Sequence, residues 1–119
     1  MGPLEIAIGE LRLILAADAT APEWRWHVRQ RLSSVANALA DPEAREGEAW
    51  LVARAGRSER TCARLRARVT TLAAGVLDRL EAGTILREAR RLLVDVEHQA
   101  QARHDLVYDS VCLELGGSE

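Results

Sequence analysis

The sequence predicts an all-α protein whose core is an antiparallel, four-helix-bundle-like arrangement, with an additional N-terminal helix and a short connecting helix. Apolar residues recur at helical spacing along most of the 119 residues. Glycine and proline fall mainly between these segments, where helices begin and end. The length suits one domain spanning residues 1–119, with a single hydrophobic core.

The first segment, residues 1–16, fits two interpretations. Its apolar residues have helical spacing, but they also alternate along the segment as they would in two short strands. We favour a helix, because an isolated hairpin is marginal in water and the rest of the chain offers no sheet for it to join. Packing within the chain and packing across a dimer both stay open. The helical stripe consists of Leu4, Ile8, Leu11 and Leu15.

The next helix is predicted to begin near Pro22, which suits a first helical turn, and to end at Asp41-Pro42. The segment PEAREGEAWLVARAG, residues 42–56, then indicates a turn and a short connecting helix carrying Trp50 and Leu51, with Gly56 marking a break or a kink. The apolar stripe of the helix before this turn consists of Trp24, Val28, Leu32, Val35 and Leu39.

Two long helices complete the chain. Ser58 is a candidate N-cap for the first of them, and Gly83 is placed to end it. Thr84 is a candidate N-cap for the second, which runs to Gly116. So short a connection favours an antiparallel hairpin. The stripe of the first helix is Ser58, Cys62, Leu65, Val69, Leu72, Val76 and Leu80. The stripe of the second is Ile85, Ala89, Leu92, Val96, Ala100, Arg103, Val107 and Val111.

Composition excludes several function classes. A net charge of -2 gives no positive field for nucleic acid, and no apolar run is long enough to cross a membrane. All 16 basic residues are arginine, which is typical of a high-GC bacterial genome. Cys62 and Cys112 do not make a disulfide framework. We therefore expect a cytoplasmic protein.

Few residues are candidates for chemistry. No nucleophile, phosphate-loop or zinc motif is present, so we expect no catalytic residue, metal or cofactor. His98 falls opposite the apolar stripe of the last helix. His104 lies near the edge of that stripe and can reach Tyr108 one turn later. These three residues are the candidate ligand-binding set. The arginines between Arg54 and Arg68 suggest a DNA-binding alternative, which we rank last because the net charge is negative.

Trp26 is the candidate interface residue. It falls on the side of its helix opposite Trp24 and Val28, so one packed layer cannot bury both indoles. Large aromatic side chains are common anchors of protein contacts. The N-terminal stripe is the other candidate surface, with Leu4, Ile8, Leu11 and Leu15.

The C-terminal stretch HQAQARHDLVYDSVCLELGG, from His98 to Gly117, resembles the last helix of small hemerythrin-like bundles of high-GC bacteria. The resemblance implies a four-helix fold and a di-iron centre held by histidines and carboxylates. Here Asp41-Pro42 and Val69 stand at helices where ligands would be expected, and only His98 and Gln99 remain near the ligand position of the last helix. The ligand set therefore looks lost.

From these features we predict a non-catalytic protein that acts by protein–protein association, as a homodimer or as an accessory or regulatory partner of another protein. The alternative is a bundle that binds a metal or small ligand, as a sensor or enzyme, through His104, Tyr108 and His98.

Overall fold

The computed structural model describes residues 2–40, 49–77 and 79–116, and the side chains of residues 2–40, 56–77 and 79–102. Within this part of the chain there are four helices and no strand. The predicted all-α class is thereby confirmed. The helices are α1 (Pro3–Leu15), α2 (Trp24–Leu39), α3 (Ala49–Val76) and α4 (Ala82–Gly116).

The N-terminal segment is the helix α1, as we favoured, and not a pair of strands. Pro3 lies in its first turn, where the missing N–H costs nothing. Glu5 in the first turn and Arg12 in the last turn complement the helix dipole. At the far end, the Trp24 indole N–H donates to the carbonyl of Ile14 at 2.8 Å. The end of α1 is thus capped by the first residue of α2.

The turn between α1 and α2 is organised by Asp18. Its Oδ1 accepts hydrogen bonds from the backbone N–H of Thr20 at 2.9 Å and from the Thr20 hydroxyl at 2.6 Å. Both bonds favour the charged carboxylate, and they lower the pKa of Asp18 below its ordinary value, the hydroxyl bond contributing most. This local turn leads the chain directly into α2.

The helix α2 also fixes the end of α3. Arg25 Nη1 donates to the carbonyl of Val76 at 2.7 Å and to the carbonyl of Leu80 at 2.5 Å. The last carbonyls of a helix have no partner within it, and a cation is favourable at that end. Consecutive residues of α2, Trp24 and Arg25, therefore cap two different helices.

The sequence-based boundaries of α3 were wrong at both ends. The separate connecting helix does not form, because Trp50 and Leu51 belong to a continuous α3 and neither Gly56 nor Ser58 interrupts it. A glycine inside a helix costs about 1 kcal/mol relative to alanine, which the packing of a long helix outweighs. The helix then stops at Val76, where Arg25 caps it, instead of near Gly83.

The two residues predicted to join the long helices lie inside the second of them. Gly83 and Thr84 are in the first turn of α4, which starts at Ala82. The other predicted boundaries agree with the structure, since α2 ends just before Asp41 and α4 ends at Gly116.

The helices pack in a ring. α1 packs against α2 and α4, α2 also packs against α3, and α3 against α4. The apolar stripes point into a single shared core, with Val28, Leu32, Val69, Ile85 and Val96 fully buried. Every stripe residue whose side chain is described, apart from the partly buried Ser58 and Leu80, belongs to this core.

Ion pairs join neighbouring helices at the edges of the core. Glu10 of α1 pairs with Arg31 of α2 at 3.1 Å, and Arg68 of α3 pairs with Asp95 of α4 at 2.7 Å. Arg12 of α1 also pairs with a glutamate of α4, Glu97. All these side chains are 40 % or more exposed, so each pair contributes little to stability and mainly fixes helix register. No described helix has an apolar stretch long enough to cross a bilayer.

Candidate functional site

Of the three candidate ligand residues of the last helix, only His98 has a described side chain. His98 is exposed on α4, on the side away from the core, as its position in the sequence indicated. His104 and Tyr108 belong to α4, but their side chains lie outside the described residues. Arg103, Val107, Val111 and Cys112 lie outside them as well.

The described side chains also do not fit a di-iron centre. Among them, no three His, Cys, Asp or Glu residues converge in a way that could hold a metal ion. The core position next to His98 is occupied by Gln99, whose amide is a poor iron ligand compared with an imidazole or carboxylate.

Gln99 is the one buried polar residue of the described core, at 6 % exposure. Its Nε2 donates to Ser58 Oγ at 2.6 Å and to the Ser58 carbonyl at 3.3 Å, and it lies 3.4 Å from Cys62 Sγ. These bonds offset the desolvation of the amide and lock the register of α3 against α4. Gln99, Ser58 and Cys62 therefore have a structural role in holding α3 against α4.

The four N-terminal candidates for an interface lie inside the chain. Leu4, Ile8, Leu11 and Leu15 are at most 5 % exposed and belong to the shared core. The segment whose packing the sequence left open thus packs within the chain. Any surface on α1 must be formed by its other side, where Ile6 and Leu13 are 47 % and 75 % exposed.

Trp26 is 51 % exposed, whereas Trp24, two residues earlier, is 1 % exposed. The helical repeat turns Trp26 to the side of α2 opposite the core, as the sequence indicated. Its ring packs edge-on against the imidazole of His27, with ring centroids 5.2 Å apart. His27 in turn lies 3.6 Å from Glu23. These contacts orient the indole without burying it.

The exposed sides of α1 and α2 carry apolar residues together with charges of both signs. We define the α1–α2 outer face by Ile6 and Leu13 on α1 and by Trp26, Gln30 and Ser33 on α2, all of which are exposed. The spacing of seven residues on α1, and of four and three on α2, places each set on one side of its helix. Charges of both signs adjoin these residues, because the exposed Glu23 and Arg29 lie three residues before and after Trp26 on α2, and the Glu10–Arg31 pair joins the two helices.

The exposed sides of α3 and α4 differ sharply from this face, because each carries several arginines. On α3 they form the basic stretch seen in the sequence, and on α4 they surround the exposed Val94. Among the described side chains, the exposed arginines of the two helices are Arg57, Arg60, Arg64, Arg66, Arg68, Arg87, Arg90 and Arg91.

A groove opens between α1 and α2 beside the outer face. This α1–α2 groove has a volume of about 570 Å³ and is lined on one side by Ile6, Ala7 and Glu10. On the other side it is lined by Ser34 and Asn37. Sequence analysis identified Trp26 but missed this groove, because it depends on how closely two helices approach.

Comparisons of this chain with protein-family models, with curated proteins and with solved structures gave no match. The resemblance of residues 98–117 to hemerythrin-like bundles therefore stays a prediction.

Proposed function

We propose that this protein acts without catalysis, by association with a second copy of itself through the α1–α2 outer face. The observation that carries the proposal is the half-exposed Trp26 on the face that also carries the exposed Ile6 and Leu13. Exposed tryptophan is unusual on a surface without a partner, and tryptophan is enriched among residues that dominate binding energy.

The charge pattern favours the α1–α2 outer face over the other faces of the chain as the surface that meets a second copy. A twofold homodimer brings the same surface patch of both subunits together. The charges that adjoin the α1–α2 outer face are of both signs, Glu23 and Arg29 beside Trp26 and the Glu10–Arg31 pair, so a second copy can bring opposite charges together. The arginine-bearing sides of α3 and α4 would place like charges opposite each other, which is destabilising.

The geometry suggests how the two copies fit. Trp26 lies 8 residues before Ser34 on α2, which corresponds to roughly 12 Å along the helix. A twofold axis perpendicular to α2, between these two levels, would place each Trp26 over the α1–α2 groove of the other subunit. Each indole would then pack near Ile6 of the partner subunit, and the two contacts would be equivalent.

The finer description of the fold forms part of the same proposal. An antiparallel bundle is supported by cross-helix contacts, because Ile14 meets Trp24 and Glu10 meets Arg31, so the two helices run in opposite senses. A hemerythrin-like layout without iron is also part of the proposal, and it rests on the resemblance of residues 98–117 in the sequence. The unpaired, buried thiol of Cys62 suits the reducing cytoplasm.

Sedimentation velocity over a wide concentration range tests the proposal. We expect the wild-type protein to reach twice the 13.1 kDa mass of the chain. Trp26→Ala and Ile6→Glu should each raise the dimer dissociation constant about thirtyfold, as expected for loss of a central anchor worth ~2 kcal/mol. Removal of residues 1–15 is not a usable test, since it would delete part of the core.

Val94→Ala is the matched control. Val94 is as exposed as Trp26, at 53 %, but lies on α4. It should leave the dissociation constant unchanged. A wild-type protein that stays monomeric at all concentrations, or variants at Trp26 and Ile6 that dimerise like the Val94 control, would show that association does not use this face.

A further inference from the structure

A second groove lies on the other side of the molecule, between the C-terminal half of α3 and the N-terminal half of α4. This α3–α4 groove has a volume of about 520 Å³, within the range of small-ligand sites. Its floor is apolar, formed by Leu72, Leu92 and the partly buried Leu80.

The groove exists because α3 presents small residues on this side. Ala67, Thr71 and Gly75 follow at intervals of four residues and line it. At Gly75 a side chain would be crowded, since a Cβ would lie 3.0 Å from Leu80 Cδ1. Leu80 therefore packs against the α3 backbone at Gly75 and closes one end of the groove. Thr71, on the α3 side of the groove, is exposed to solvent.

The rim of the groove carries charged residues, some of which lie close to a residue of opposite charge and one of which does not. Arg68 is held by Asp95 at 2.7 Å, and Glu88 lies 3.7 Å from Arg91. Arg79 differs from these residues. Its Nη2 lies only 3.7 Å from the position that a Cβ would take at Gly75, so the guanidinium reaches over the groove. Among the described residues, no carboxylate lies within ion-pair distance of Arg79.

We propose that the α3–α4 groove binds a small amphipathic carboxylate, with its apolar chain on Leu72, Leu80 and Leu92 and its carboxylate on Arg79. A guanidinium matches a carboxylate with two parallel hydrogen bonds. The ligand carries a single charge, because one arginine is available and Glu88 on the rim repels a polyanion such as a nucleotide. This site is separate from the α1–α2 outer face and uses none of its residues.

Titration with sodium decanoate, followed by leucine-methyl and tryptophan-indole NMR, tests the site directly. We expect saturable shifts of the Leu72, Leu80 and Leu92 methyl groups, with the Trp26 indole unchanged. Decanol, which lacks the charge, and acetate, which lacks the chain, should each bind much more weakly. The Trp26 signal also separates this proposal from the dimer, because dimerisation affects that indole and not the groove methyls.

Variants sharpen the test. Arg79→Gln should raise the decanoate dissociation constant about tenfold, the loss expected for one charge-assisted contact. Thr71→Phe should fill the groove and remove saturable binding, with its folding checked by circular dichroism. Arg90→Gln is the matched control, because Arg90 is exposed on α4 and does not line the groove, and it should bind decanoate like the wild type.

Three results would overturn the proposal. One is the absence of saturable methyl shifts with decanoate. Another is binding of decanol as tight as that of decanoate, or equal affinity in the Arg79 and Arg90 variants, since either would mean that the charge is not recognised. The third is a shift confined to the Trp26 indole, which would place the fatty chain on the α1–α2 outer face.

Discussion

Arg25→Ala should destabilise the protein far more than an ordinary surface substitution. Arg25 Nη1 donates to the carbonyls of Val76 and Leu80, which end α3 and form the turn to α4. Hydrogen bonds from a charged donor contribute ~1.5–3 kcal/mol each. Because one nitrogen serves both carbonyls and the side chain is only half-buried, water can replace part of the loss. We expect a decrease of about 2 kcal/mol in the free energy of unfolding.

Urea denaturation followed by circular dichroism measures this decrease, and thermal denaturation should show a Tm lowered by roughly 8 °C. Arg29→Ala is the control, because Arg29 lies one turn later on α2 and is exposed. Both variants must be compared at one protein concentration, since association adds to apparent stability. Equal stability of the two variants would refute the conclusion that Arg25 caps α3.

Three further predictions follow from the core and the first turn. Trp24→Phe should cost ~1–2 kcal/mol, because it leaves the Ile14 carbonyl without its indole donor; infrared spectroscopy of a labelled Ile14 carbonyl should report a changed hydrogen bond. Leu32→Ala, at 0 % exposure, should cost ~2–5 kcal/mol in urea denaturation, whereas Val94→Ala should cost under ~0.5 kcal/mol. In a carbon-detected NMR titration, the pKa of Asp18 should lie below its ordinary value and rise in Thr20→Val. Because the folded-state pKa is lowered, the contribution of Asp18 to stability is present above the ordinary pKa and is lost as the pH falls through the folded-state value.

The sequence was sufficient to predict the all-α class and the buried sides of the helices. Strong periodicity at Leu4, Val28, Val69 and Val96 identified core positions correctly, because burial against neighbouring helices imposes a repeat that one chain segment shows by itself. The same repeat placed Trp26 on the exposed side of α2.

Helix boundaries depend on contacts that no local pattern contains. The local sequence predicts a helix break at Gly56 and a helix N-cap at Ser58, but both residues lie inside α3. The end of α3 depends on Arg25, which is 51 residues away in sequence from Val76. A local signal such as Gly83 therefore does not determine where α3 ends, because a tertiary contact caps the helix earlier in the sequence.

Of the candidate sites, likewise, one could be predicted from the sequence and two could not. Trp26 could be found from the sequence, because its exposure follows from its position on one helix. The two grooves could not, because each depends on the distance between two helices and on small residues such as Ala7 or Gly75 at the point of approach. The position of Arg79 over Gly75 likewise required the fold.

The central claim is that the α1–α2 outer faces of two copies meet. An isotope-filtered NOE experiment on a mixed sample of labelled and unlabelled protein tests it most directly, because it detects only contacts between subunits. We predict NOEs from the Trp26 indole to the Ile6 methyl groups of the partner subunit. Intersubunit NOEs that involve Val94 or Leu77 and leave Trp26 without any would contradict the account.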